Sequence, residues 1–153
     1  FSSLRDLAEG QWQPVIDDSQ AAADRAAVRQ IILCSGKIYI DMINDPRRAE
    51  RADIALVRVE QLYPLDTDAI SRIIASYPNA AEVVWLQEEP ANGGAWDSMN
   101  QRLHRILNGS LPLRLIARPR RASPAEGSIS MHALHQATLI DRAYDLPEEV
   151  TNS

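Results

Sequence analysis

The chain has a single cysteine, few aromatic residues and no long apolar run, and each absence excludes a class of protein. Cys34 is the only cysteine, so an internal disulfide is excluded and a reducing, cytosolic compartment is expected rather than secretion. Aromatic residues make up 5% of the sequence, so aliphatic side chains must fill the core. No apolar run approaches the roughly 20 residues of a membrane-spanning helix, so no membrane partner is expected.

The charge balance and the common catalytic motifs exclude further classes. A net charge of −5 argues against a dedicated nucleic-acid binder. The sequence contains no Ser-His-Asp order and no GxGxxG, HExxH or CxxC motif. His132 and His135 have a spacing that could hold a metal, but no third ligand motif accompanies them, so packed histidine is the favoured interpretation. The chain therefore predicts no catalytic residue and no metal site of its own.

What the sequence does contain is a regular alternation of apolar runs and helical stripes. The apolar runs lie at residues 31–34, 54–59, 83–86 and 113–117, and the helical stripes at residues 37–44, 66–77, 96–107 and 128–144. Strands that alternate with helices predict βαβ units. Strands without strict polar alternation fit a sheet that is buried on both faces. The fold class is therefore predicted as α/β, with a three-layer, mostly parallel sheet flanked by helices.

The same pattern predicts three parts along the chain. Residues 1–30 are predicted to be a lead-in segment and linker, with a short strand at 12–16 that Pro14 confines to the edge of a sheet. Residues 31–145 are predicted to form the α/β domain, and residues 146–153 a polar tail. Because the sequence begins with Phe1 and shows no signal segment, we expect it to be a piece of a longer polypeptide.

A dense basic run is the first candidate binding site. Arg118, Arg120 and Arg121 follow the fourth apolar run, and Ser123 comes shortly before the last helix. Arginines beside a helix N-terminus suit a phosphate or carboxylate group, because bidentate donors and amide dipoles converge there. The alternative is that the arginines pair with the acidic residues at 88–89 or with a neighbouring subunit.

Lys37 is a second, weaker candidate for the same anion site. It follows Ser35 and Gly36 and opens the first helix, as the lysine of a phosphate loop does. The earlier glycine and the following hydroxyl residue of that motif are missing, however. A tight strand-to-helix turn is therefore the favoured alternative.

The most distinctive run of the sequence links the third apolar run to the third helix. Its candidate interface or turn residues are Gln87, Glu88, Glu89, Asn92, Gly94 and Trp96. Functional groups collect at the carboxyl ends of strands in open α/β sheets. The adjacent glutamates point to opposite sides of an extended segment, so they are not expected to act as an acid–base pair. The tryptophan suits either a core anchor or an interface anchor.

Five motifs in order resemble the C-terminal domain of the 2-oxoglutarate dehydrogenase family. They are LCSGKIY at 33–39, VRVEQLYP at 57–64, WLQEEP at 85–90, NGGAW at 92–96 and ASPA at 122–125. The resemblance covers about residues 1–144 and implies a transketolase-type C-terminal domain, whose mostly parallel sheet often has one antiparallel edge strand. Glu126, Ser130 and His135 differ from the residues that are usual in the family, and they lie beside the basic run.

The resemblance also implies a function for the longer protein. In such enzymes thiamine diphosphate and Mg²⁺ bind between the two preceding domains, at a homodimer interface. The whole enzyme decarboxylates 2-oxoglutarate and passes the succinyl group to a lipoyl arm of the dihydrolipoyl succinyltransferase core. This chain is then expected to support assembly, without a bound cofactor or a catalytic residue, in the bacterial cytoplasm or the mitochondrial matrix.

Two alternatives to the assembly function stay open. The first is a free-standing module that binds an effector, AMP or acetyl-coenzyme A, at the basic run. The second is a protein-interaction module centred on residues 87–96. The related substrate 2-oxoadipate is also an alternative to 2-oxoglutarate.

Overall fold

The computed structural model describes residues 10–122 and 129–145, and a five-stranded sheet lies at the centre of this part. The strands are β1 (Val15–Ile16), β2 (Gln30–Cys34), β3 (Ile54–Val59), β4 (Glu82–Pro90) and β5 (Leu113–Arg118). Their spatial order is β1-β3-β2-β4-β5, and every neighbouring pair is parallel except β1 and β3. The predicted α/β fold with a mostly parallel sheet is confirmed.

Four α-helices accompany the sheet in the described ranges. They are α1 (Lys37–Asn44), α2 (Thr67–Ala75), α3 (Trp96–Leu107) and α4 (Ile129–Tyr144). Asp66 caps α2, because its side chain accepts a hydrogen bond from Ala69 N at 2.8 Å. Asn108 ends α3 in the left-handed region, with φ 45°, a conformation that asparagine adopts at helix ends. None of the described helices is long and apolar enough to cross a membrane.

The sheet separates two apolar layers, because alternate residues of a strand point to opposite faces. Leu33 and Trp85 face one layer, which contains the buried residues of α2 and α3. Cys34 and Leu86 face the other layer, which contains the buried residues of α1 and α4. Both faces are therefore covered, and the predicted three-layer arrangement is confirmed.

Strand β4 is longer than its apolar run predicts. The apolar run predicts that this strand ends at Leu86, but the strand continues to Pro90, which pairs with Arg118 after a shift in register. Ala91 N then donates to Arg118 O at 2.9 Å. The predicted end was wrong because hydrophobic periodicity reports burial, whereas the polar end of a strand keeps its backbone pairing without an apolar signal.

The segment before β2 is attached to the sheet by backbone and side-chain contacts. Strand β1 lies at the edge that Pro14 predicts, and Pro14 O accepts hydrogen bonds from Glu60 N and Gln61 N at 2.9 and 3.0 Å. Beyond β1, the buried Asp18 accepts a hydrogen bond from Leu56 N of β3 at 2.8 Å. One carboxylate thus occupies the place that a longer edge strand would fill. The domain boundaries at residues 30 and 145 stay a prediction.

Candidate functional site

Gln87 lies at the centre of the connection between β4 and α3. Its side chain is 4% exposed. Its Oε1 accepts hydrogen bonds from Trp85 Nε1 at 2.9 Å and from Trp96 N at 3.0 Å. Its Nε2 donates to Pro90 O at 3.1 Å and to Gly93 O at 2.9 Å. A primary amide offers both donors and acceptors, so this one side chain satisfies four groups and fixes the turn.

Gly94 allows the turn to pass close to the end of β4. Its φ is +62°, and a Cβ added there would lie 2.9 Å from Glu89 Oε2 and 3.1 Å from Gln87 Nε2. Any side chain at this position therefore meets both a strained backbone region and a steric contact. Glu89 is exposed and the neighbouring Glu88 is half-buried. The two glutamates therefore differ in burial, and their predicted lack of an acid–base role stays a prediction.

Asn92 joins this turn to the basic run. Its Nδ2 donates to Arg121 O at 2.8 Å, and its Oδ1 accepts from Arg121 N at 3.0 Å. This reciprocal pair fixes the backbone of the run beside the turn. The turn and the basic run, which are separate in sequence, therefore lie together at the carboxyl edge of the sheet.

Arg118 and Lys37 are connected through two intervening side chains. Arg118 Nη2 lies 3.4 Å from Gln136 Oε1, and Gln136 Nε2 donates to Asp41 Oδ2 at 2.7 Å. Asp41 Oδ2 also forms an ion pair with Lys37 Nζ at 2.6 Å. The structure brings these two candidate residues into one network and keeps Arg118 buried, at 7% exposure. The network includes Asp41, which is not among the predicted site residues. Its spacing of four residues from Lys37 is the sequence signal for such an ion pair.

The other two arginines of the predicted anion site are more exposed than Arg118. Arg120 and Arg121 are exposed, so they are the two arginines of the run whose side chains solvent reaches most readily. Ser123 lies outside the described residues, as does Glu126. Anion binding at the basic run therefore stays a prediction.

Comparison with known proteins gives the family. A family model described as 2-oxoglutarate dehydrogenase C-terminal matches residues 1–144. The chain belongs to this family.

The curated relatives of this family domain are much longer proteins. The 2-oxoglutarate dehydrogenase E1 component of Azotobacter vinelandii is 42% identical over 148 residues, which cover 94% of this chain and 16% of that protein. The E1 component of Cupriavidus necator is 38% identical, over 94% of this chain and 15% of that protein. The E1 component of Geobacillus sp. (strain WCH70) is 38% identical, over 97% of this chain and 16% of that protein. The chain thus spans 15–16% of the length of these curated relatives.

The one cysteine of the 2-oxoglutarate dehydrogenase C-terminal domain is not placed for nucleophilic chemistry. Cys34 is fully buried, and burial raises the pKa of its thiol to about 12. The thiolate is the nucleophilic form, so the side chain stays protonated and unreactive near neutral pH. Its Sγ lies 3.9 Å from Val57 O, as a weak donor within the core.

The histidines and acids of the described part do not form a metal site. No three His, Cys, Asp or Glu side chains within residues 10–122 and 129–145 are grouped to hold a metal ion. His104 is exposed. Gln136, Leu139 and Ala143 are buried along α4. The side chain of His132 lies outside what the structure describes, so its packing stays a prediction.

A buried carboxylate closes the opposite, amino edge of the sheet. Glu82 opens β4 and is 6% exposed. Its carboxylate accepts hydrogen bonds from Arg114 at 2.7 and 2.9 Å and from Gln30 Nε2 at 2.7 Å. Burial alone would raise the pKa of Glu82, but the hydrogen bonds from Arg114 and Gln30 outweigh it and hold the pKa below its ordinary value. The three side chains therefore link β2, β4 and β5.

Glu82 gives the domain an acid-sensitive contact. A carboxyl group whose pKa is lowered by folding stabilises the folded state above its unfolded pKa, and this contribution is lost as the pH falls through the folded pKa. We expect Glu82→Gln to lower the free energy of unfolding by about 1–2 kcal/mol at pH 7. Below pH 4.5, the ordinary pKa of this carboxyl group, we also expect the free energy of unfolding of the variant to fall less steeply with pH than that of the unmodified chain. Urea unfolding at several pH values measures both effects.

The matched control for this change is Glu50→Gln, because Glu50 is exposed. It removes the same charge without touching the pair with Arg114. Equal pH slopes for the Glu82→Gln variant and the unmodified chain would show that the pair contributes nothing to acid sensitivity.

Proposed function

We propose that this chain is the C-terminal domain of a 2-oxoglutarate dehydrogenase E1 component, and that it supports assembly of the enzyme. The observation that carries this proposal is the family match over residues 1–144, together with relatives of which the chain spans 15–16%. In this proposal the remaining polypeptide holds the active site. The relatives come from bacteria, which supports a bacterial cytoplasmic enzyme.

In the proposed full enzyme, 2-oxoglutarate is decarboxylated with thiamine diphosphate and Mg²⁺. The succinyl group then passes to a lipoyl arm of the dihydrolipoyl succinyltransferase core. The described residues of this chain do not fit a Mg²⁺ site, because their acidic and histidine side chains are not grouped for one. Asp18 and Glu82 are instead engaged by arginines. We assign the cofactors to the part of the polypeptide outside this chain, as the family resemblance implies.

The turn between β4 and α3 supports a role in assembly. The four hydrogen bonds of Gln87 fix the backbone around it, so the exposed Glu89 and Asn92 project from a rigid surface. Trp96 is only partly buried, at the edge of the apolar layer. Tryptophan on a rigid base is typical of binding hot spots. We propose that this surface contributes to the homodimer interface of the enzyme.

The test compares the full-length native polypeptide with a variant that lacks residues 1–153. Intact mass of the native product establishes its length first. We expect a product several times longer than this chain, which decarboxylates 2-oxoglutarate and forms a dimer, and we expect the deletion to abolish dimerisation. Parallel kcat/KM measurements with 2-oxoadipate identify the preferred substrate. Decarboxylation by the 153-residue chain alone would contradict the proposal, as would a native product of only this length.

A second candidate function is the binding of an anionic effector, AMP or acetyl-coenzyme A, at the basic run. The observation that favours it is the fixed backbone at Arg121, with Arg118 and Lys37 in one network nearby. Calorimetric titration of the full-length enzyme tests it. We expect Arg120→Ala with Arg121→Ala to weaken binding at least about tenfold, the effect of losing one to two charge-assisted hydrogen bonds. Arg105→Ala is the control, because Arg105 is an exposed arginine of α3. No heat at millimolar ligand excludes this function.

A further inference from the structure

Two exposed aromatic side chains belong to segments that meet beside the edge strand. Trp12 is 67% exposed and Tyr63 is 81% exposed. Trp12 Nε1 donates to Gln61 Oε1 at 3.2 Å, and Gln61 Nε2 donates to Pro64 O at 2.8 Å. One amide therefore holds the segment of Trp12 against the loop of Tyr63. Trp12, Gln61, Tyr63 and Arg102 are called the aromatic patch.

The loop that presents Tyr63 is anchored on both sides. Leu62 and Leu65 pack against the apolar layer beside α2 and α3. Arg102 of α3 donates to Leu62 O at 3.2 Å, and its guanidinium lies 5.7 Å from the centre of the Tyr63 ring. The ring is therefore supported in its exposed position before any partner binds. Such preorganisation lowers the entropic cost of binding.

The composition of the aromatic patch indicates a binding surface. Tryptophan, tyrosine and arginine are the residue types that carry most binding energy at protein interfaces. Tryptophan and tyrosine combine a large apolar ring with a polar tip, which suits surfaces that are wet at one edge. Isolated exposed apolar residues are ordinary. Here the Gln61 side chain connects the segment of Trp12 to the loop of Tyr63, and the two side chains are two of the chain's eight aromatic residues, one Phe, three Trp and four Tyr.

The size of the aromatic patch favours a tethered partner over a separate protein. Each aromatic side chain buries at most about 150–250 Å². Both together stay below the roughly 800 Å² per partner of a stable interface between free proteins. A segment on the same polypeptide needs far less surface, because a covalent tether supplies an effective concentration in the millimolar range.

We propose that the aromatic patch is the docking surface for the part of the same polypeptide that precedes residue 1. This inference rests on the proposed function, because it requires the longer polypeptide. The matching family is described as C-terminal, and the chain spans 15–16% of its curated relatives, so most of such a polypeptide comes before this chain. Trp12 lies near that junction in sequence, and β1 fixes the following residues to the sheet.

Photo-crosslinking in the full-length enzyme tests the aromatic patch. Tyr63→p-benzoylphenylalanine places a light-activated group at the exposed position, and Glu50→p-benzoylphenylalanine is the control at another exposed site. After irradiation, we expect peptides from before residue 1 to be linked to position 63, and not to position 50. The linked polypeptide is expected to keep the mass of one subunit.

Other products would overturn this inference. A product with twice the subunit mass would place a second copy on the aromatic patch, and a product with the mass of another component would place a separate protein there. Absence of any link from position 63 would show an open surface. Intact mass and 2-oxoglutarate decarboxylation separate this failure from that of the proposed function. A long, active enzyme without the link overturns only the docking surface, whereas a product of this chain's length overturns both.

Discussion

Replacement of Asp18 by alanine is expected to lower the free energy of unfolding by about 3–5 kcal/mol, because it leaves a buried arginine without its partner. Arg48 is 6% exposed, and its Nη2 lies 2.5 Å from Asp18 Oδ2. The same carboxylate accepts hydrogen bonds from Leu56 N at 2.8 Å and from Gln20 N at 2.8 Å. Ala21 N also donates to Asp18 Oδ1 at 3.2 Å, so the change leaves one buried charge and three backbone donors without their partner at once.

Urea unfolding followed by far-UV circular dichroism measures this effect. Asp24→Ala is the matched control, because Asp24 is an exposed aspartate in the same segment. Asp18→Asn keeps an acceptor for the backbone donors, and we expect it to lose less stability than the alanine variant. A double variant, Asp18→Leu with Arg48→Met, is expected to recover part of the loss, since apolar pairs often replace buried ion pairs at little cost. Similar stabilities for Asp18→Ala and Asp24→Ala would contradict the buried pair.

The Asp18 contact also shows what the sequence pattern lacks. Residues 17–29 carry no apolar stripe, so periodicity predicts a linker or surface segment there. Within that segment, however, Asp18, Ala21 and Val28 are buried. Burial of Asp18 depends on Arg48, which lies thirty residues along the chain, and on the open edge of β3. No local window of sequence contains these partners, so only the tertiary structure reveals the contact.

The central strands and helices follow from sequence because their signal is local. Strand β3 and helix α1 have the predicted bounds, since each coincides with a run of apolar residues at the period of its own geometry. The last four residues of β4 carry no such signal, and their pairing comes from the neighbouring β5. Apolar periodicity thus predicts the buried strands and helices, whereas the polar end of β4 depends on pairing with a neighbouring strand.

The sequence predicts the arginines and the turn of the candidate site, but not the hydrogen bonds that join them. Charge density identifies the arginines, and the break in apolar pattern identifies the turn. The hydrogen bonds between Asn92 and Arg121 join elements that are 29 residues apart. The link from Asp41 to Gln136 spans 95 residues. Such links follow from the meeting of strand ends at one edge of a parallel sheet, which a motif search does not represent.

Gln87→Leu is expected to lower the free energy of unfolding by about 2–4 kcal/mol, although it keeps an apolar side chain of similar size. The change leaves the buried Trp85 Nε1 without its acceptor at 2.9 Å and removes the donors to Pro90 O and Gly93 O. A buried donor without a partner costs more than a lost contact at the surface. Urea unfolding at pH 7 measures the loss, and Gln101→Leu on the exposed face of α3 is the control.

Gln87→Glu separates the lost hydrogen bonds from lost packing. The glutamate keeps the shape of the side chain and the acceptor for Trp85, but its ionised carboxylate faces two carbonyl oxygens with no donor to offer. Its destabilisation at neutral pH is therefore expected to equal or exceed that of Gln87→Leu. Protonation restores one O–H donor, so the difference between the glutamate variant and the unmodified chain should shrink as the pH falls. For Gln87→Leu that difference should stay constant, because leucine does not titrate. Parallel pH dependence in the two variants would mean that packing, rather than the donors of Gln87, holds the turn.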